Sequence, residues 1–134
     1  MITYDELGAM LDEIAGELPE DLYRELNGGV ILLPDVKIHP QSDDANKLYI
    51  LGEYNYQPMG LGRYITIYYG SFIRVHGHSN PARQKEQLRK TVFHEFLHHL
   101  ESLAGERELE IKDAVDLQKY KALSMQRGIS GKMK

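Results

Sequence analysis

The sequence has no cysteine and no tryptophan, and only five prolines in 134 residues. Without thiols, disulfide stapling and every thiolate metal site are excluded, so any bound metal must be held by His, Asp or Glu. Long apolar runs are missing too. The longest, Val30 to Leu33, is far too short to span a bilayer. The start, Met1-Ile2-Thr3-Tyr4-Asp5-Glu6-Leu7, lacks the basic patch and apolar segment of a secretory signal. The expectation is a cytoplasmic protein with no membrane partner.

Charge of one sign is scarce at each end. Among the first 25 residues Asp5, Glu6, Asp12, Glu13, Glu17, Glu20, Asp21 and Glu25 face only Arg24, whereas Lys119, Lys121, Arg127, Lys132 and Lys134 meet no acid after Asp116. The formal net charge is −4, so a nucleic-acid partner is not expected, and the two runs read as solvated helix faces and a basic tail. A chain of this length forms one domain around one core, and two independent catalytic domains are excluded. The domain is expected over residues 1–125, with residues 126–134 a disordered basic tail. No internal repeat is present.

Thr3 followed by Glu6 is a capping box. Leu7, Met10, Leu11, Ile14 and Leu18 then recur at helical spacing up to Pro19. Gly28-Gly29 opens a β-prone run at Val30 to Leu33, and Val36 and Ile38 alternate with Lys37 and His39 before Pro40. Residues 47–52 and 63–69 are further strand candidates, the second placing Ile65, Ile67 and Tyr69 on one face, with a turn over 53–62 between them. His76-Gly77-His78-Ser79-Asn80-Pro81 combines a loop, an N-cap and a proline at the first helical position. A long helix should follow from Pro81 to Ala104 and stop at Gly105. Apolar spacing predicts a last helix near 113–125.

Within the long helix stands His94-Glu95-Phe96-Leu97-His98, the HExxH pattern. Residues four apart on a helix lie one above the other, so two imidazoles can present nitrogens to one metal. Neutral imidazole suits zinc, and a catalytic zinc keeps an open position where a water is acidified. Glu95 then stands where a general base is needed. At about 100° per residue the apolar side chains from Leu88 to Leu103 cover one broad arc, with His94, His98 and Glu101 just beyond its edge. The histidines therefore border a cleft.

The sequence here resembles the small zincin-like metallopeptidases of bacteria, a minimal version of the zincin fold. The resemblance lies in the acidic N-terminal helix, Leu51-Gly52-Glu53-Tyr54, Ile65-Thr66-Ile67-Tyr68-Tyr69-Gly70, and Thr91-Val92-Phe93-His94-Glu95-Phe96-Leu97-His98-His99. It implies a single α+β domain, a small mixed sheet packed against the long HExxH helix, one zinc ion, and action on a peptide or protein substrate. The family pattern continues with glycine three residues after the motif and an acidic ligand three further on. Here those positions hold Glu101 and Ala104, and alanine cannot bind a metal.

The third ligand must therefore come from elsewhere. Glu101 shares the histidine face, but its Cα stands about 7 Å along the axis from the metal, a distance better suited to hydrogen-bonding a ligand. An extended return from a turn at Gly105, at about 3.3 Å per residue, regains the metal height near Glu108, with Glu106 and Glu110 on the same strand face. Glu108 is the residue chosen, with Glu101, Glu106 and Glu110 as alternatives. His99 lies near the edge of the apolar arc opposite the metal face and reads as a packed histidine donating to backbone rather than a ligand. His76 and His78 form a loop His-x-His pair, a conceivable alternative site. Tyr54 or Tyr68 can stabilise an oxyanion, and an extended substrate is expected along the 64–69 strand. A zinc-dependent hydrolase is the leading expectation. The second is a metal-stabilised binding module that has lost efficient catalysis.

Overall fold

Thr3 caps the first helix as its sequence requires. Its hydroxyl accepts from the Glu6 N–H at 3.1 Å, and the Glu6 carboxylate accepts from the Thr3 N–H at 2.8 Å. Helix α1 (Tyr4–Glu17) buries Leu7, Leu11 and Ile14, and it ends where Leu18 turns extended ahead of Pro19. A short 3-10 turn, Glu20–Tyr23, seats Leu22 in the core. The structure is a computed structural model that describes residues 1–106. The expected helix near 113–125 and the tail at 126–134 lie outside the described residues.

Three strands form a mixed sheet: β1 (Gly29–Leu33), β2 (Gly52–Gln57) and β3 (Gly62–Tyr68), in the order β1-β3-β2. β1 runs parallel to β3, and β2 antiparallel to it. Two expectations are corrected here. The second strand occupies Gly52–Gln57 rather than 47–52, a segment that instead meets residues 37–39 through the Ile38–Tyr49 bridge before β2 begins. β3 is the central strand, so neither of its sides offers an edge to a substrate; among the described residues β2 is the edge beside the motif helix. The central position explains why Ile65, Thr66 and Ile67 are all buried, on both faces of the strand.

Helix α2 (Tyr69–His76) follows β3 directly, taking Tyr69 out of the strand. Its second residue must be small. A Cβ on Gly70 would lie 2.6 Å from Val36 Cγ2 and 2.7 Å from the Asp35 carbonyl oxygen. That approach lets Ser71 Oγ accept from Lys37 N–H and donate to the Lys37 carbonyl. Helix α3 (Pro81–Glu106) crosses the sheet and buries Leu88, Val92, Phe96, Leu100 and Leu103 against α1 and β3. It passes through Gly105 without a left-handed residue, so the expected stop there does not occur. A chain continuing in helical backbone needs no glycine cap at that point. No helix among the described residues is long and apolar enough to cross a membrane.

Candidate metal centre and cleft

α3 carries the motif in its middle, where helix geometry is most regular. His94 and His98 are half-buried, their rings edge to face with centroids 4.6 Å apart, and their Nε2 atoms approach to 3.1 Å. Glu101 Oε1 lies 3.2 Å from His98 Nδ1. A carboxylate accepts there, so it holds the His98 proton on Nδ1 and leaves Nε2 as a lone pair directed at His94. Two zinc–nitrogen bonds of about 2.0–2.1 Å at a tetrahedral angle would separate the nitrogens by about 3.3 Å. The pair thus fits one shared cation.

Glu95, between the two histidines in sequence, is 2 % exposed. It lies at the floor of a cleft of about 530 Å³ lined by Gly52, Glu53 and Tyr54 of β2 and by His98, Glu101 and Ser102 of α3. Gly52 makes the close approach possible. A Cβ there would stand 3.1 Å from both Ile67 Cδ1 and Thr91 Cγ2, and 3.3 Å from Glu95 Cγ.

Among the described residues no group of three His, Asp or Glu side chains converges on one point. Glu101 is turned to the Nδ1 side of His98, away from the paired Nε2 atoms. It therefore hydrogen-bonds the ring of His98 on the side away from His94. Glu108 and Glu110 lie outside the described residues, as does the Glu106 side chain.

His99 is fully buried. Its Nε2 lies 2.8 Å from the Arg24 carbonyl oxygen, which can only accept, so the proton is on Nε2 and Nδ1 accepts from the Tyr54 hydroxyl at 2.9 Å. That commits the Tyr54 proton to His99. The Tyr68 hydroxyl donates to Glu53 Oε1 at 2.7 Å, and Lys37 Nζ meets the same carboxylate at 2.7–2.8 Å. Burial first, and then that carboxylate, push the Tyr68 hydroxyl well above its ordinary range. Both tyrosines expected as oxyanion donors thus spend their protons within the fold.

Residue order alone did not point to the Lys37–Glu53–Tyr68 network or to the Gly52 contact. The signal that could have found them is the alternation Tyr54-Asn55-Tyr56, a period of two masked by the glycines around it. His76 and His78 join no metal-binding group among the described residues. His76 ends α2 with its ring 5.1 Å from that of Phe72.

Among the described residues, fold and cleft define a small mixed α+β domain with a three-stranded mixed sheet and three α-helices. No family model matches the chain, and no curated protein matches it. Among solved structures it is similar to a conserved hypothetical protein from Thermo thermophilus, at 35% identity and a TM-score of 0.66, over 78% of this chain and 100% of that one. The chain belongs to the same family as that protein.

Proposed function

We propose that the chain is a zinc-dependent hydrolase of the minimal zincin type that cleaves peptide bonds. One observation carries the reading. Two imidazole Nε2 atoms stand 3.1 Å apart, and the next residue after His94, Glu95, is a buried carboxylate lining the cleft that His98 also lines. His94 and His98 would hold the metal, and Glu108 is assigned as the third ligand because Glu101 is engaged on the far nitrogen of His98. Zinc, when bound, supplies Lewis acidity that acidifies water and polarises a carbonyl. Glu95 takes the proton of the attacking water and returns it to the leaving amine, and its burial keeps bulk solvent from competing for that proton.

Substrate orientation falls to β2. The Tyr68 N–H donates to the Leu51 carbonyl at 2.9 Å, and with the β2–β3 register this puts Glu53 and Asn55 on the bonded side. The main-chain groups of Gly52, Tyr54 and Tyr56 therefore aim away from β3, toward the position an added extended peptide takes.

The test is substitution of Glu95 by Gln. Zinc content by elemental analysis should stay near that of the unsubstituted protein, while cleavage of a broad peptide library should fall by about a hundredfold or more. Unchanged turnover defeats the mechanism. A second reading is a metal-stabilised binding module with little peptidase activity, motivated by Ala104 standing where the family pattern has its acidic ligand. Near-stoichiometric zinc in the unsubstituted protein with no cleavage of the library is its signature.

A further inference from the structure

The exposed face of α3 that carries the histidines continues toward the helix N-terminus. At about 100° per residue Arg83, Lys90, His94 and Glu101 fall within about 40° of one another. Lys90 precedes His94 by one turn, about 6 Å, and Arg83 lies about 10 Å further. The face is acidic at one end and basic at the other.

Cations on the opposite flank of α3 are neutralised. Lys85 pairs with Glu13 at 2.9 Å, and Arg89 with Glu17 at 2.8 Å and with Glu86. Arg83 and Lys90 form no such pair among the described residues, although the protein carries more acids than bases. They are also held close to a third basic group. Gln84, 3 % exposed, donates through Nε2 to the His76 carbonyl at 3.1 Å, pinning the end of α2 to the first turn of α3. Burial first, then Arg83, lowers the Lys90 pKa; burial, then Arg83 and Lys90, lowers that of His76. Among the described residues no acid pairs with these two cations, and an anion joining them would relieve their mutual repulsion.

We propose that Arg83 and Lys90 form a carboxylate-binding subsite that selects peptides carrying a negative charge about two to five residues from the bond held near Glu95. This rests on the hydrolase reading for its geometry. The spacing follows from the rise of the helix: about 6–16 Å along α3 spans about two to five extended residues at about 3.3 Å each. The carboxylate is either an acidic side chain or the peptide C-terminus. Arg83 offers a fork of N–H groups that donates to both oxygens, and Lys90 a point charge nearer the histidines.

The test uses full-length, zinc-treated Glu95→Gln protein, so that bound peptide stays intact, and three eight-residue alanine-rich probes. One is capped at both ends and carries Gln, one is capped and carries Glu, and one has a free C-terminal carboxylate. Titration calorimetry should show one or both charged probes binding about tenfold tighter than the neutral one, and the comparison identifies the source of the carboxylate. Adding R83Q and K90Q should bring the charged probes down to the neutral affinity, and R83E with K90E should transfer the preference to a Lys probe. Equal affinities, or a preference that survives both pairs of substitutions, overturns the subsite. Library cleavage by the unsubstituted protein without charge preference overturns the subsite and leaves the hydrolase standing. Charge preference without any cleavage does the reverse.

Discussion

His99 shows how one side chain is assigned by its two neighbours. The Arg24 carbonyl takes its Nε2 proton at 2.8 Å, the Tyr54 hydroxyl supplies Nδ1 at 2.9 Å, and the ring has no solvent exposure. The bond ties β2 to α3 one residue beyond the motif, so its strength bears on how firmly His98 is held. Tyr54→Phe removes the donor and keeps the ring. A buried acceptor deprived of its donor costs about 1–3 kcal/mol, so the urea midpoint should fall with the m value unchanged. Unfolding at the unsubstituted midpoint would show that the pair contributes nothing to stability.

Between elements, the approach of β2 to α3 sets the cleft. Gly52 stands where any side chain meets Ile67, Thr91 and Glu95, so the strand can lie against the helix only while that position has no Cβ. Gly52→Val should push β2 off α3, lowering stability by about 1–3 kcal/mol, and disturb Glu95 directly. Chemical denaturation measures the first effect, and peptide turnover at a concentration where the variant remains folded measures the second. Turnover should fall further than stability explains, because Glu95 Cγ is one of the three atoms displaced. Helix α1 plays a different part. Its acids Glu13 and Glu17 neutralise Lys85 and Arg89 on the flank of α3 away from the histidines, so among the described residues the α3 cations without an ion pair, Arg83 and Lys90, lie on the histidine face.

Over the whole molecule, the proposed metal would touch only α3 and Glu108, yet its binding energy stabilises the entire fold. Zinc that binds the native state and not the unfolded chain adds about 2.7 kcal/mol at a hundredfold excess over Kd. The melting temperature should therefore rise by several degrees on zinc addition and return on chelation. His98→Ala should abolish the rise. A melting curve indifferent to zinc at every concentration counts against both functional readings, since each needs a native metal site.

The first helix with its capping box, the start of α3, the cores of the β1 and β3 strands and the shared face of His94 and His98 were all legible in the sequence. Each depends on contacts within four residues along the chain or on an alternation of two, and such local periods are written directly in residue order. The strand order was not. Ile65 to Tyr69 reads as a strand whether it lies at an edge or in the middle, and only pairing with β1 from one side and β2 from the other made it central. The same holds for Gly52 beneath Glu95 and for Tyr54 against His99, contacts between residues far apart in the chain. Tertiary packing alone decided them, because the free energy that selects a long-range partner comes from surfaces that meet only after the chain has folded.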